Sequence, residues 1–171
     1  MISARQSTLS VDWRAEIAPG GNVMRLAGVA FGMAAMSNDE REKFLADLHV
    51  GVVAVERSGR APLAVPIWYG YEPGGEVLLW TDSGSLKHRL IRDAGRFALT
   101  AQAEQPPYKY VTVEGDVTVI GKARDADARQ IAIRYLGEEA GNKFTDENLT
   151  QSSVMIRMRP RRWLSMDYEK E

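Results

Sequence analysis

The stretch YKYVTVEGDVTVI, residues 108–120, decides the class of fold. In its middle, Val111, Val113 and Val117 lie at even spacings among polar residues, which is the two-residue period of a strand with one buried face. β-Branched side chains favour this extended conformation. The pattern therefore predicts a long strand, and hence a sheet, in the second half of the chain.

Further stretches of the same character lie on both sides of it, separated by turn residues. They are VGVVAVE (50–56), APLAVPIWYGY (61–71), EVLLWT (76–81), RFALTAQ (96–102) and SVMIRMR (153–159), with WLSMDY (163–168) as a short last strand after a break at Pro160. The first three are expected to form an antiparallel meander. Pro62 and Pro66 each remove a donor from a sheet ladder, so 61–71 is expected at an edge or a split in the sheet.

Three helices are predicted from capping residues and apolar spacing: Ser37 to about His49, Ser85 to Ala94, and Asp125 to Leu136. The first starts with a capping box formed by Ser37 and Glu40, and Gly95 is placed to end the second in a left-handed conformation. Residues 138–152 are polar and are predicted to form a loop. Six or seven antiparallel strands with about three helices indicate a mainly β, α+β fold, a small β-barrel with helices over its ends.

Composition limits the chemistry that the chain can perform by itself. The 171 residues fit one domain, predicted at 37–171 after an N-terminal extension, 1–36, of unknown role. There is no cysteine and there are only two histidines, which excludes thiolate catalysis and a three-histidine metal site, and no metal site is predicted. A net charge of −1 gives no case for nucleic acid. Redox chemistry would therefore need a borrowed cofactor.

The apolar stretch 26–36 is too short to span a membrane, which takes about 20 residues. A docked extension or a flexible tail is preferred over a signal peptide here, because the segment before it is long and carries Asp12 and Glu16. The protein is expected to be cytoplasmic, with no membrane partner.

One segment carries side chains suited to binding an anion. In TDSGSLKHRLIR, residues 81–92, Thr81 ends a predicted strand and Ser85, Lys87 and Arg89 follow at the start of a predicted helix. A helix N-terminus presents free N–H groups and a partial positive charge, which these side chains would complete as a phosphate site. From spacing alone, a phosphate site and a solvated basic helix face are equally good interpretations.

A second segment, Val65–Tyr69, combines a proline-bearing strand with two aromatic residues. Free backbone groups near Trp68 and Tyr69 would be able to contact a planar heteroaromatic ring. The alternative is that both aromatic side chains belong to the core, which is the commoner case for any single aromatic residue.

The order of these segments resembles the pyridoxamine 5′-phosphate oxidase-like family of flavin-binding split β-barrels. It is most similar to the short actinobacterial branch, which includes flavin- and deazaflavin-dependent reductases. The resemblance covers about residues 37–168 and is carried by the motifs P-x-W-Y (66–69), W-T…S-x-K (80–87), P-P-Y-K-Y-V-T-V-E-G (106–115) and R-P-R-R-W-L (159–164).

The resemblance implies a homodimer with two cofactors at the subunit interface, the cofactor being FMN or alternatively the deazaflavin F-420. It implies cofactor contacts from Val65, Pro66, Ile67, Trp68 and Tyr69 at the ring, Thr81 near the ring or ribityl chain, Ser85, Lys87 and Arg89 at the phosphate, and Tyr108, Tyr110 and Trp163 from the partner chain. Spacing and resemblance thus select the same turn, which makes phosphate the preferred interpretation there.

The implied function is an oxidoreductase that transfers hydride between the cofactor ring and a small organic substrate. No catalytic residue is assigned, although Tyr108, Lys109 and Tyr110 are weak candidates for a proton donor, and His88 is expected to be a surface residue. Two alternatives stay open. One is a non-catalytic protein that binds or sequesters flavin, and the other is a cofactor-free interaction module of the same fold.

Overall fold

The structure, a computed structural model, describes residues 23–26, 29–32 and 34–170. In chain order its elements are β1 (Val23–Leu26), β2 (Val29–Gly32), α1 (Asn38–Ala46), β3 (Gly51–Val55), β4 (Leu63–Ile67), β5 (Tyr69–Gly70), β6 (Val77–Asp82), α2 (Leu86–Ala94), β7 (Arg96–Gln102), β8 (Lys109–Lys122), α3 (Asp125–Leu136), α4 (Glu138–Asn148) and β9 (Ser153–Asp167). Seven of these strands form one antiparallel sheet, and β1 pairs with β2 in a separate ladder. The predicted mainly β, α+β class is confirmed.

The sheet closes on itself at a single residue, Trp68. Its strand order is β4-β3-β7-β8-β9-β6-β5, so that its two end strands are β4 and β5. These are consecutive in sequence and separated only by Trp68: β4 pairs with β3, whereas β5 pairs with β6. The predicted split antiparallel barrel is therefore confirmed, and the strand β4, which contains Pro66 and follows Pro62, does lie at an end of the sheet next to the split. The predicted meander is confirmed in its pairings, because 61–71 pairs antiparallel with β3 through β4 and with β6 through β5, although the strand is interrupted at Trp68.

The longest ladder joins β8 to β9. The prediction that Pro160 would break the second of these strands was wrong. β9 runs without interruption from Ser153 to Asp167. Pro160 is tolerated because β6 ends its pairing at Met158, so that Pro160 has a strand on one side only, and because the register shifts between Glu114 and Gly115 opposite it. Gly115 is required there: a Cβ at this position would lie 1.9 Å from the carbonyl oxygen of Arg159.

The helices begin largely where the caps predict. Ser37 and Glu40 form the capping box, and Gly95 ends α2 with a φ of 65°. Asp125 does not cap α3; it is the first residue of that helix, and its carboxylate binds Arg129 instead. There are four helices in the described part of the chain rather than about three, because the predicted loop 138–152 contains α4.

Two apolar clusters hold these elements together. The larger one fills the barrel with fully buried side chains such as Val53, Leu79, Leu99, Val113 and Ile156. The smaller one lies between the outer face of β6 and the hairpin of α3 and α4 and includes Met155, Ile131, Leu78, Trp80, Trp68 and Tyr135. The hairpin helices touch closely at Gly141, where a Cβ would lie 2.5 Å from the Cα of Ile133.

Most of the predicted N-terminal extension falls outside the described residues. Within it, Ala34 pairs with Asp167, and the N–H of Met36 donates to the hydroxyl of Ser165 at 3.1 Å. Residues 34–36 are thus attached to the C-terminal end of β9. No helix in the described part of the chain is long and apolar enough to cross a membrane.

Candidate functional site

The predicted anion-binding segment forms a tight turn between β6 and α2. Thr81 is buried in the last part of β6, and its hydroxyl lies 3.3 Å from that of Ser85. Ser85 is the N-cap of α2 and accepts a hydrogen bond from the N–H of His88 at 3.3 Å. The capping geometry therefore places the two hydroxyl groups side by side at the start of a helix.

Two side chains of α2 hold this turn in place by binding the main chain of Gly84. Nδ1 of His88 accepts a hydrogen bond from the N–H of Gly84 at 3.1 Å, and the guanidinium of Arg89 donates to the carbonyl of the same glycine. His88 is buried, so the expectation of a surface histidine was wrong. Its role is structural: it satisfies a loop amide and fixes the approach to the helix.

The turn leaves its remaining donors available. The N–H groups of Ser83 and Ser85 donate to Ser152 and Asp82, but those of Leu86 and Lys87 have no partner among the described residues. The ammonium group of Lys87 likewise has no ion pair or hydrogen bond with any described residue. Two free amides, a lysine and the positive end of a helix are a suitable donor set for a phosphate. Thr81, Ser85 and Lys87 are thus brought together, whereas Arg89 is committed to Gly84.

A cleft of about 310 Å³ opens beside this donor set. It shares Thr81 and Lys87 with the turn, and Trp68 also lines it. The residues that line it are Trp68, Trp80, Thr81, Asp82, Lys87, Ile131, Phe144 and Asn148. The sequence analysis did not assign Ile131, Phe144 or Asn148 to any site, because α4 was predicted to be a loop. The acidic first turn of α4 and the Gly137 before it were the available signals.

The aromatic side chains of the cleft are held in fixed orientations. The indole of Trp68 stacks on the ring of Tyr135, with centroids 5.0 Å apart and an interplanar angle of 6°. Phe144 lies 5.4 Å from Trp68 and 5.9 Å from Trp80. The hydroxyl of Tyr135 donates to the carbonyl of His49 at 2.7 Å and accepts from the N–H of Tyr69 at 3.2 Å. This anchors the wall of the cleft to the barrel split, and burial raises the pKa of Tyr135.

The side chains of Val65–Tyr69, the segment predicted to contact a cofactor ring, alternate between the barrel core and the outside. Ile67 and Tyr69 are buried in the barrel, where the Tyr69 hydroxyl donates to the carbonyl of Leu45 at 2.7 Å and burial raises the pKa of the phenol. Val65 packs against the same core, whereas Pro66 is exposed. The N–H of Trp68, which belongs to neither β4 nor β5, has no partner among the described residues.

The remaining predicted contact residues lie in another part of the chain. Thr81 pairs with Val154, and Trp163 is nine residues further along β9, roughly 30 Å of strand away. Trp163 packs edge-on against Tyr71, with the Arg41 guanidinium 4.9 Å from its ring centroid. Tyr110, which pairs with Met166, lies further still, and Tyr108 is exposed beside it. Within one chain, these three aromatic residues do not meet Lys87.

Lys109, a weak candidate for a proton donor, is bound in an ion-pair network. Its ammonium group lies 2.9 Å from Glu169 and 3.1 Å from Asp167. The hydrogen bond with Glu169 and then that with Asp167 raise the pKa of Lys109. This arrangement suits a structural tie between β8 and the end of β9 rather than proton donation.

Comparison with known proteins places this geometry in context. A family model described as pyridoxamine 5′-phosphate oxidase matches residues 37–163. That match spans α1 to β9 and includes the Thr81–Lys87 turn, the cleft and Trp163. No curated protein matches the chain in sequence.

Several solved structures share the fold. A conserved hypothetical protein from Mycobacterium tuberculosis is 23% identical, with a TM-score of 0.65 over 78% of this chain and 86% of that one. An F420 reductase is 21% identical, with a TM-score of 0.58 over 72% of this chain and 94% of that one. An FAD-binding protein from Mesorhizobium loti is 18% identical, with a TM-score of 0.56 over 79% of this chain and 97% of that one.

Proposed function

The chain belongs to the pyridoxamine 5′-phosphate oxidase family, and on that basis we propose that it binds a flavin-type cofactor whose phosphate lies at the start of α2. The observation that carries the proposal is the donor set at Lys87: an ammonium group and two main-chain N–H groups without partners among the described residues, beside the hydroxyls of Thr81 and Ser85. Charge-assisted hydrogen bonds of this kind contribute roughly 1.5–3 kcal/mol each.

Each member of the donor set has a distinct role. Lys87 neutralises the phosphate, and the amides of Leu86 and Lys87 orient it at the helix end. Ser85 caps the helix through an oxygen lone pair, and when Thr81 donates across the 3.3 Å contact between the two hydroxyls, the Ser85 hydroxyl proton is left for a ligand. His88 and Arg89 keep the loop in place through Gly84 without touching the ligand.

The isoalloxazine or deazaflavin ring would lie along β4, beside the N–H of Trp68, which follows that strand, has no partner among the described residues and is a donor for a ring heteroatom. When bound, the ring supplies hydride transfer to or from a small organic substrate. The protein would position the ring against the split strand and exclude water from one of its faces. On this proposal the cofactor is FMN, or alternatively the deazaflavin F-420, and the protein is an oxidoreductase.

We further propose that the site is completed by a second copy of the chain. The outer face of the sheet carries a cross-strand row formed by Val52, Thr100, Thr112 and Leu164 on four adjacent strands. Val52 is 38% exposed and Leu164 is 58% exposed. A row with an exposed apolar side chain at each end is suited to a two-fold interface. A partner seated on it would be able to bring its own Tyr108, Tyr110 and Trp163 towards the cofactor, which these residues do not approach in their own chain.

The direct test is to release the cofactor from purified protein and to record its absorbance spectrum and mass. A flavin or deazaflavin spectrum supports the proposal. Colourless protein that binds neither FMN nor F-420 in a fluorescence titration would instead leave a cofactor-free interaction module. Stopped-flow reduction by candidate electron donors then separates an oxidoreductase from a protein that only binds or sequesters flavin, because bound cofactor that never turns over contradicts the former.

A further inference from the structure

We propose that Tyr135, on α3, is a positioning residue that holds the Trp68 N–H against the cofactor ring and thereby raises the reduction potential of the ring. The inference rests on the proposed function, because it names what orients the donor that the ring would bind. It gives the α3–α4 hairpin a part in the redox chemistry at the barrel split.

The Tyr135 hydroxyl connects the two halves of the sheet on either side of Trp68. It donates to the carbonyl of His49 at 2.7 Å and accepts from the N–H of Tyr69 at 3.2 Å. His49 lies two residues before β3, which pairs with β4, whereas Tyr69 begins β5, which pairs with β6. The Tyr69 carbonyl lies 3.5 Å from the same hydroxyl, so the single proton goes to the much closer His49.

The two peptide groups beside Trp68 are held by different means. The group that carries the Trp68 N–H follows Ile67, which pairs with Gly51 in the β3–β4 ladder. The next group carries the N–H of Tyr69, which donates to the Tyr135 hydroxyl. Because peptide groups are planar, fixing both of them fixes the φ and ψ of Trp68. The direction of the free Trp68 N–H therefore depends on Tyr135.

The ring of Tyr135 holds the side chain of Trp68 as well. The two rings stack with centroids 5.0 Å apart and an interplanar angle of 6°, and Phe144 contacts the same indole at 5.4 Å. Trp68 and Lys87 line one cleft, so a ligand whose phosphate binds Lys87 lies beside the residue that Tyr135 orients. Tyr135 thus acts on the proposed site without touching the phosphate.

Tyr135 is itself anchored through its neighbour in α3. The guanidinium of Arg134 donates to three carbonyl groups at the C-terminal end of α1, those of Leu45, Ala46 and Asp47. The same guanidinium lies 5.9 Å from the centroid of the Tyr135 ring. Burial raises the pKa of Tyr135, so its hydroxyl keeps the proton that it donates at neutral pH. The split therefore meets a hydroxyl group in a fixed position.

A donor fixed in this way acts on the reduction potential of a bound ring. Hydride brings two electrons and one proton, so the heteroatoms of the reduced ring carry more negative charge than those of the oxidised ring. An N–H group binds a charged acceptor more strongly than a neutral one. An aligned Trp68 N–H therefore stabilises the reduced ring more than the oxidised ring, and this preference falls when the N–H is free to turn away.

The first test is amide hydrogen exchange on the native chain. Without flavin, the N–H of Tyr69 should exchange roughly tenfold more slowly than that of Trp68, since the latter has no partner among the described residues. Saturating FMN, or F-420 in a parallel sample, should slow exchange at Trp68. Equal exchange at the two residues without flavin, or a Trp68 N–H that a bound ligand does not protect, overturns the inference.

Tyr135→Phe is the mutational test, because it removes the hydroxyl and keeps the stacked ring. Exchange at Tyr69 should accelerate roughly tenfold, since its N–H loses its partner. The affinity for reduced flavin should fall about three- to tenfold more than that for oxidised flavin. The midpoint potential then drops by about 15–30 mV, because tenfold corresponds to about 30 mV for a two-electron couple. Tyr168→Phe, after the end of β9, is the control and should change neither quantity.

The possible failures are distinguishable. A Tyr135 that only stabilises the fold would lower the affinities for oxidised and reduced flavin equally, and an unchanged midpoint potential in Tyr135→Phe overturns the positioning role while flavin binding stands. If this variant does not fold, hydrogen exchange on the native chain decides the question. A native chain that binds neither FMN nor F-420 overturns the proposed function and the inference with it.

Discussion

Nδ1 of His88 accepts a hydrogen bond from the main-chain N–H of Gly84 at 3.1 Å, which ties the first turn of α2 to the loop that precedes it. Together with the Arg89 guanidinium on the Gly84 carbonyl, this bond uses both polar groups of that glycine within the loop. The donors that remain for an anion are therefore those of the helix itself. The shape of the candidate site thus depends on a histidine that does not line it.

Replacing His88 with alanine should lower both stability and flavin affinity. The Gly84 N–H loses its partner, and a hydrogen bond of this kind contributes roughly 0.5–1.5 kcal/mol, to which the loss of the buried His88 ring adds. Urea unfolding should show that loss for His88→Ala. His88→Asn should recover part of it, because the asparagine Oδ1 occupies a position similar to that of Nδ1. Equal stability of the alanine variant and the native chain would contradict this role.

Lys87→Ala should weaken flavin binding by at least tenfold. The substitution removes the ammonium group that has no other partner among the described residues, together with its attraction for the phosphate. Fluorescence titration of flavin measures the effect, and the loss should shrink at high salt. Arg92→Ala on the same helix, whose guanidinium binds Asp93, is the control. Unchanged affinity for Lys87→Ala would refute the phosphate site.

Gly115→Ala should be strongly destabilising, and Gly121→Ala nearly neutral. In β8, a Cβ on Gly115 would meet the Arg159 carbonyl at 1.9 Å and the Met158 sulfur at 2.7 Å, whereas at Gly121 the nearest atom is 3.7 Å away. Overpacking against backbone costs about 3 kcal/mol or more. Midpoints of urea unfolding measure both variants. Similar midpoints would show that β9 can move away from the bulge.

The capping box of α1 should make stability depend on pH in the acid range. The hydrogen bond from Lys170, followed by that from the Ser37 N–H, lowers the pKa of Glu40 from 4.5 to about 2. Because the folded-state pKa is depressed, the stabilisation is fully present above about pH 4.5 and is lost as the pH falls towards 2.

Glu40→Gln tests this directly by urea unfolding between pH 6 and pH 3. The variant should have a lower free energy of unfolding than the native chain at pH 6. The difference between the two free energies should become smaller as the pH falls. Glu139→Gln, in the first turn of α4, serves as the control for removing one exposed carboxylate. A gap that stays constant with pH would mean that Glu40 does not act through its charge.

Leu164→Arg should separate the proposed dimer. The substitution places a charge at the β9 end of the row that also contains Val52, Thr100 and Thr112. Sedimentation should shift from dimer to monomer, and flavin affinity should fall because the partner's aromatic residues are lost. Val119→Arg, at a similarly exposed position on β8 outside the row, should leave the assembly unchanged. A native chain that is monomeric at all concentrations would contradict the interface.

The sequence correctly predicted those features of the fold that depend on interactions between residues close together in the chain. The Ser37 capping box, the Gly95 terminus and the alternation of β8 all depend on neighbours within a few residues, and the structure contains each of them. The split at Trp68 has no local signal beyond nearby prolines, because it is set by which strands the two halves pair with.

The errors have similarly specific causes. α4 follows Gly137, whose φ is 82°, and has no side-chain cap, so its polar sequence resembles a loop. Its stability comes from packing Gly141 on Ile133 and Phe144 on two tryptophans, which are contacts that no single segment contains. Pro160 is tolerated within β9 for an equally non-local reason, because the pairing of β9 with β6 ends before this residue. For the candidate site, Thr81, Ser85 and Lys87 were accessible from spacing, but Phe144 was not.

The α3–α4 hairpin leaves the barrel after Lys122 and returns at Ser153, and Lys122 is already paired with Val154 across the β8–β9 ladder. The insertion thus begins and ends at adjacent positions of the β8–β9 ladder, so that it replaces the loop of a β-hairpin. A lineage can lengthen, shorten or exchange it without changing the register of a single barrel strand. Recognition of whatever extends beyond the phosphate is therefore free to diverge while the barrel and the Lys87 turn stay the same.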